Sequence, residues 1–378
     1  MANTLSNLIP DVYAALDVIS RELVGSLPGV SRDASADGVA FGQTVRSHAT
    51  RANSAVGDVA AAMAFPAAAD QTIDNKTLTI SKSRFAPFSW TGEEQRGVDN
   101  GGPGYLTIKQ DQIAQAFRAL VNEMESDVCT ALYKGGSRAA GASGTTPFAT
   151  TLSDSAQLRK ILDDNGAPMS GRSLVIDTTA GANLRTLAQL TKANEAGTSM
   201  TLRDGELLNL HGFSIRESAQ IQRPAVGTGA SFVLNGSHAV GATSITVKTG
   251  TGTILDGDVL LINGKNYVVE TGRSGVGAFT IAAPGLRDAG VDGNAVAVAI
   301  TGSRNVAFTP NAILLAARVP IMPAEGDLAI DSEIITDPRT GISFDLRCYP
   351  GVGMVTYRLQ AAWGLKVFKP EHIAVLMG

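Results

Sequence analysis

A chain of 378 residues is long enough for two or three domains with real cores. Its net charge of −4 and 17% charged residues give no global basic field, which excludes the electrostatics of a dedicated nucleic-acid binder. No apolar run approaches the roughly 18 residues of a membrane span, and the opening Met1-Ala2-Asn3-Thr4-Leu5 starts no secretory signal.

Charge this sparse suits a surface largely covered by neighbours, although compositional bias produces it equally well. Cys129 and Cys348 lie far apart on apolar patterns and are expected as reduced, buried thiols of a cytoplasmic product rather than as a disulfide.

From the N-terminus, Leu8, Val12, Leu16, Ile19 and Leu23 fall on one helical face, with Asp11, Asp17, Arg21 and Glu22 mostly on the other. The breakers Gly25, Pro28 and Gly29 end this amphipathic helix, whose apolar stripe needs a surface to cover it. A long irregular segment follows, from about 31 to 97. Within it 42–47 and 76–82 read as the arms of a β-ribbon, Leu78 and Ile80 alternating with threonines. The weakly patterned residues between the arms, alanine-rich over 52–69, are too many for a buried loop. A long projecting hairpin that needs a partner to rest on is expected.

The strongest helix spans 109–134. Ile113, Phe117, Leu120, Val121, Met124, Val128 and Leu132 repeat at spacings of three and four, Asp111, Glu123, Glu125 and Asp127 lie mostly off that stripe, and Lys134-Gly135-Gly136 ends it. At roughly 1.5 Å per residue it runs about 39 Å, the length of a spine. Beyond a linker at 141–146, the pattern predicts a helix over 153–164 capped by Ser153 or Asp154, a buried strand over 173–178, and a helix over 181–192.

Between 224 and 301 the texture changes: these 78 residues hold 14 of the 41 glycines. They read as short strands at 244–247, 258–262, 267–269, 278–281 and 295–300, with Asn263-Gly264 as a hairpin cue. A small all-β module inserted into a mixed host is expected, folding by itself as an antiparallel barrel or sandwich with its ends close together. Its core is expected from Ile245, Val247, Leu260, Ile262, Val268, Phe279, Ile281, Val296, Val298 and Ile300. The host texture resumes at 305–316. The C-terminus is strongly β. Ile342, Phe344, Leu346 and Cys348 alternate with Ser343, Asp345 and Arg347, a turn follows at 350–353, the same phase runs from Val355 to Val367, and a last strand occupies 372–377. These predict one antiparallel sheet with one face covered, by the spine helix.

Chemical motifs are mostly absent. The histidines at 48, 211, 238 and 372 fall in separate segments without metal-ligand spacing and read as incidental polar residues. Gly264-Lys265 is followed by Asn266, so it is no phosphate loop, and Gly272-Arg273-Ser274-Gly275 is one residue short of a nucleophile elbow. Asp256 and Asp258 around Gly257 read as a solvated turn in preference to a calcium loop. No catalytic constellation is found, so no enzyme activity, cofactor or metal is expected.

The order of parts resembles a tailed-phage major capsid protein, and within that family the coat proteins of the phage-P-twenty-two type, which carry an insertion domain. The stretches that carry the resemblance are 7–16 (Asn7-Leu8-Ile9-Pro10-Asp11-Val12-Tyr13), 74–80, 305–313 and Trp363-Gly364-Leu365-Lys366 through Pro370-Glu371. The resemblance implies an α+β chain with the Hong Kong 97-like capsid fold plus an inserted all-β domain. It divides the chain into an N-terminal arm (1–35), an E-loop β-ribbon with its connections (36–98), the spine helix of a P domain (99–140), the first part of an A domain (141–223), the inserted domain (224–301), the second part of the A domain (302–349) and C-terminal strands closing the P/A sheet (350–378).

The same resemblance implies a major capsid protein that self-assembles as hexamers and pentamers into an icosahedral virion shell, formed in the host bacterial cytoplasm. Implied partners are further copies of itself, a scaffolding protein, a portal and non-specifically packaged double-stranded DNA, with no membrane. Candidate subunit-interface residues are Leu8, Val12, Leu16, Leu23, Arg46, Lys82 and Arg84. DNA contact is expected to be weak, through scattered residues such as Arg118 and Arg138. Some proteins of this fold weld subunits through a Lys–Asn isopeptide bond, but no motif here assigns such a pair. Alternative readings are an encapsulin-like nanocompartment shell and a virion decoration or adhesion protein. Against the last, Phe232, Tyr267 and Phe279 fit core positions rather than an exposed aromatic platform.

Overall fold

The computed structural model describes residues 24–50, 73–99, 105–191, 207, 209–336 and 341–378. The spine helix, Tyr105–Lys134, begins one turn before the apolar periodicity does. Its stripe is buried as the spacing predicts: Ile113, Phe117, Leu120, Met124, Val128 and Leu132 belong to one core cluster with residues from two different sheets.

The first sheet runs in the order β1 (Ser31–Val39), β17 (Ile313–Pro320), β20 (Met354–Val367), β19 (Ser343–Pro350), β18 (Asp331–Thr336), with β4 (Lys82–Thr91) also pairing with β20. β1 is parallel to β17, and β4 is antiparallel to β20 over ten registered pairs, from Thr91 opposite Met354 to Lys82 opposite Trp363. The spine packs on this sheet; Phe117 meets Phe344 edge-on at 5.1 Å between ring centroids.

β1, β4 and the helix Gly92–Asp99 fall in the stretch that reads as irregular. The reason lies in the partners. β1 is polar, and its conformation is set by pairing with β17 more than by its own pattern. β4 contains Pro87, which only an edge strand tolerates.

A second difference concerns the polar residues of β19. Alternation puts Ser343, Asp345 and Arg347 on a wetted face, yet all three are buried, so both faces of β19 are covered. Arg347 Nε donates to Asp345 Oδ2 at 2.5 Å and Gln360 Nε2 to the same oxygen at 2.6 Å, which replaces water there, while Oδ1 has no hydrogen-bond partner among the described residues.

The ribbon is β2 (Thr44–Thr50) against β3 (Ile73–Thr79), antiparallel from Thr44 opposite Thr79 to Thr50 opposite Ile73. The predicted alternation holds, since Leu78 and Ile80 are fully buried while Thr77 and Thr79 are exposed. Its root therefore rests on this chain itself, against Val39, Ala316 and Ala362.

The second sheet places β7 (Ser214–Glu217), β6 (Ser173–Ile176), β16 (Arg304–Phe308), β21 (Ile373–Met377) and β5 (Arg138–Ala140) side by side. Here the C-terminal reading is corrected: the last strand leaves the first sheet after the 3-10 turn Pro370–His372 and lies between β16 and β5. Helix Ser153–Asp164 covers this sheet with Leu158 and Leu162. Its N-cap position is Leu152, without a side-chain cap, because Asp154 instead accepts the Phe148 N–H at 2.8 Å. The expected helix over 181–192 is two, Thr178–Thr186 capped by Asp177 and Ala188–Thr191, broken where Leu187 turns extended.

Residues 232–298 close a barrel. β8 (Phe232–Leu234), β9 (Ser244–Lys248), β14 (Gly277–Ile281), β12 (Lys265–Thr271), β11 (Val259–Ile262) and β15 (Ala295–Val298) pair in that order, and β15 returns to β8, every pair antiparallel. β10 (Thr253–Ile254) and β13 (Arg273–Ser274) form a separate short ladder beside it. Asn263 and Gly264 have φ of 50° and 74°, the primed turn that the dipeptide predicts. Phe232, Ile245, Leu260, Tyr267, Phe279 and Ile281 fill the interior.

Two residues of the expected barrel core lie elsewhere. Ile300 is 63% exposed. Val268 points outward between inward Tyr267 and Val269, and with its cross-strand partner Val259 it enters the core around the spine helix. β12 also pairs with β5, so the barrel wall continues into the second sheet.

At the ribbon root the chains approach without room for a side chain: a Cβ on Gly364 of β20 would clash with the Thr79 carbonyl oxygen. Gly364→Ala is expected to cost about 1–3 kcal/mol by overpacking. Urea unfolding of the full chain measures this, and faster proteolysis within 44–79 locates it.

Candidate assembly surface

Three features frame the described chain: the segment at Gly25–Leu27, the ribbon and the open strand edges. The first of these packs on the spine helix. There the fully buried carboxylate of Glu125 accepts three backbone N–H groups, from Gly25 at 2.9 Å, Ser26 at 2.7 Å and Leu27 at 2.9 Å. These donors lie at and just before the start of the 3-10 turn Leu27–Gly29, where backbone N–H groups have no intrahelical partner. A carboxylate facing three N–H groups satisfies them.

Cys129, one turn further along the spine, donates its thiol toward Ser26 Oγ at 3.7 Å; burial, then Glu125, pushes its pKa far above the ordinary thiol value. Both cysteines are free and buried. Sequence reasoning misses Glu125 by grouping it with the acids off the stripe. The signal is present, since Val121 and Cys129 stand four residues to either side of it and both are buried.

The candidate interface residues separate into three groups. Leu8, Val12, Leu16 and Leu23 lie outside the described residues. Arg46 is exposed on the ribbon, opposite Thr77. Lys82 and Arg84 stand on β4 and reach back to the spine, Lys82 Nζ to Glu123 at 2.9 Å and Asp127 at 2.8 Å, Arg84 Nε to Glu123 at 3.1 Å. Asp127 also accepts the Trp363 indole N–H at 2.9 Å, so one carboxylate ties β4, β20 and the spine together.

Burial opposes the charge on Lys82, but hydrogen bonds and charge from Asp127 and Glu123 outweigh it and raise its pKa. Burial likewise opposes ionisation of Glu123, and Lys82 and then Arg84 overcome it, so its pKa is lowered. The Glu123 contribution to stability is therefore present above the ordinary carboxylate range and lost as pH falls through its lowered value.

Apolar groups face solvent at strand ends and turns. Phe41 lies at the ribbon root, Leu328 (85% exposed) and Ile330 lead into β18, and Val352 is fully exposed in the β19–β20 turn. Sequence reading passes over these because they sit in turns without periodicity. β18 pairs only with β19 among the described residues, so its other edge is open.

Several expectations about chemistry change. Asp258 is not solvated. It is buried and accepts N–H groups from Leu255 at 2.7 Å and Gly227 at 3.0 Å, with its pKa raised by burial. Among the described residues no group of three or more His, Cys, Asp and Glu side chains can hold a metal ion. His372 is buried, and its pKa is lowered by burial. Arg138 is buried against Asp164 at 3.2 Å and is unavailable to DNA. Phe232, Tyr267 and Phe279 are core residues, as expected. Among the described residues no helix is long and apolar enough to cross a membrane.

The joint at Glu125 is vulnerable to a small change. Glu125→Gln keeps the volume but turns an amide NH2 toward three N–H donors, and is expected to cost about 2–4 kcal/mol. Hydrogen exchange reads the effect locally: the Gly25, Ser26 and Leu27 amides should lose protection well before the spine does.

No protein-family model matches the chain, and no curated protein matches it in sequence. Solved structures do. A structure from Mycobacterium phage Che8 is 18% identical with a TM-score of 0.49, over 89% of this chain and 84% of that one. A virus-like particle from Pyrococcus furiosus is 11% identical with a TM-score of 0.46, over 97% and 98%. The capsid structure of cyanophage P-SCSP1u is 12% identical with a TM-score of 0.50, over 92% and 86%. At this level of identity the likeness to the cyanophage capsid is one of fold: the chain has the fold of a phage capsid protein.

Proposed function

We propose that the chain is a major capsid protein that assembles into the icosahedral head shell of a tailed double-stranded DNA phage. In this reading the fold is of the Hong Kong 97 type. Residues 1–35 are the arm, 36–98 the E-loop and its connections, 99–140 the spine helix of the P domain, 141–223 and 302–349 the two parts of the A domain, and 350–378 the C-terminal strands closing the P/A sheet. The 224–301 barrel is the insertion domain that marks the phage-P-twenty-two kind. The observation that carries the reading is the shared fold with a cyanophage capsid over 92% of the chain. The exposed apolar turns and open strand edge support it, since a lone subunit leaves them uncovered.

The role is structural rather than enzymatic. Leu8, Val12, Leu16 and Leu23 cover a neighbouring copy, and Arg46 on the ribbon extends to another. Lys82 and Arg84 act at the same boundary by holding the ribbon's exit strand against the spine. Scaffolding protein and portal are the partners of assembly, and packaged DNA meets the inner surface without sequence preference.

Electron microscopy of the purified full-length chain tests this. Closed shells of uniform diameter are expected, and single particles at every concentration and salt would overturn it. Deleting residues 1–23 leaves Gly25–Leu27 and the Glu125 joint intact, and this variant should stay folded yet fail to close shells.

A further inference from the structure

Asparagine is followed by glycine four times in the chain, at 100–101, 165–166, 235–236 and 263–264, the first pair outside the described residues. Such a pair carries its own chemistry. The glycine backbone nitrogen can attack the side-chain amide of the asparagine before it, because no Cβ hinders the closing ring. The attacking nitrogen must first lose its proton, so a hydrogen bond that holds the glycine N–H protects the asparagine.

The three described pairs are alike around the glycine. Gly166, Gly236 and Gly264 have φ of 74°, 82° and 74°, and nothing lies within 4 Å of where a Cβ would stand on any of them. They differ in what holds the glycine N–H. Gly166 donates to the Asp163 carbonyl at 3.0 Å, and Asn165 is tied as well, to Ser137 Oγ at 3.1 Å and the Glu371 carbonyl at 2.8 Å. Gly236 donates to Asp292 Oδ1 at 2.7 Å. Gly264 has no acceptor among the described residues: it is the second residue of the two-residue turn between Ile262 and Lys265, where the turn itself leaves that N–H unused. Asn263 is exposed, its Nδ2 donating to the Ala289 carbonyl at 3.1 Å and its Oδ1 accepting from Asn294 Nδ2. Both bonds are open to water, so they restrain the amide without shielding it.

We propose that Asn263 is a modification site, converted without an enzyme to aspartate and iso-aspartate at the outer turn of the barrel. The Gly264 nitrogen gives its proton to solvent base and bonds to Asn263 Cγ. The Cγ–Nδ2 bond breaks, and Nδ2 takes up a proton and leaves as ammonia, which closes a five-membered imide. Water then opens the ring. Addition at Cγ restores the ordinary chain with an aspartate side chain, and addition at the main-chain carbonyl carbon leaves the chain running through Cγ. Either product adds one negative charge and removes the donor to Ala289. The iso-aspartyl link also lengthens by one carbon a two-residue turn whose geometry sets the β11–β12 register. Such a site stands whether or not the chain forms a shell.

Peptide mapping by mass spectrometry of the full-length chain, aged at neutral and at mildly alkaline pH, tests it. In the folded chain Asn263 is expected to convert about tenfold or more faster than Asn165 and Asn235, the factor set by a hydrogen bond that must break first. Conversion should quicken at the higher pH, and in urea the three sites should approach one rate. Asp292→Ala frees the Gly236 N–H, so Asn235 should then convert at a rate close to that of Asn263, with Asn263 unchanged. Circular dichroism confirms that this variant is folded, and if it is not, the comparison of the three sites in folded and urea-unfolded chain carries the test. Asn263 that stays an amide in the folded chain while it converts in urea overturns the proposal. Equal rates at the three sites in the folded chain do the same, as does a slow Asn235 in folded Asp292→Ala, since the protecting bond would then not be what separates the sites.

Discussion

One helix has to be buried along its whole length by elements that do not belong together in sequence. At about 1.5 Å per residue the thirty-residue spine is roughly 45 Å long, more than one sheet of ordinary strands covers. Its Ile113, Phe117 and Leu120 therefore share a core with Phe344, Leu359 and Trp363 of the first sheet, while Leu132 and Tyr133 share it with Val375 of the second and Val259 and Val268 of the barrel. Each such side chain contributes about 1.5–3 kcal/mol when fully buried. The joining of the two sheets is thus a consequence of the helix needing cover at both ends.

A helix walled in this way cannot turn every polar residue to water, and the fold's polar joints follow from that. Glu125 is the extreme case, fully buried and stabilised by three backbone N–H groups of a segment a hundred residues earlier in the chain. Asp127 is the milder one, half-buried and shared between Trp363 and Lys82. Where the first sheet is covered on both faces, Asp345 meets the same constraint with Arg347 and Gln360. Replacing any one partner strands the others, whereas an apolar residue of similar shape throughout would not. These groups therefore fix the relative placement of elements more than they add net stability.

The elements legible in the sequence are those whose own pattern is independent of a partner. The spine stripe, the Leu78–Ile80 alternation, the Asn263-Gly264 turn and the barrel strands are local signals, and each is found where its spacing puts it. β1 and β4 are hidden because a strand that borrows its pairing from β17 or β20 needs no periodicity of its own. Val268 is misplaced because alternation says which residues share a face without saying what lies against it. The last strand is assigned to the wrong sheet because nothing in Ile373–Met377, buried on all sides, distinguishes one sheet from the other. Of the candidate interface, Lys82 and Arg84 are legible as cations beside the ribbon, but their attachment to Glu123 needs the fold.

The same arrangement explains where the surface is left unfinished. A protein built to associate through a sheet face keeps alternate apolar residues of that face uncovered. Here β19 is buried on both faces, and the uncovered apolar groups stand at its ends, Val352 in the turn and Leu328 and Ile330 beside β18. Contacts made by turns and strand edges constrain the angle between neighbours less than a packed face does, because a turn meets its partner at few points. On the shell-forming reading this is what one sequence needs in order to occupy both flat and sharply curved positions. The Glu125 joint in turn fixes Gly25–Leu27 against the spine, so the chain leaves that point in one defined place.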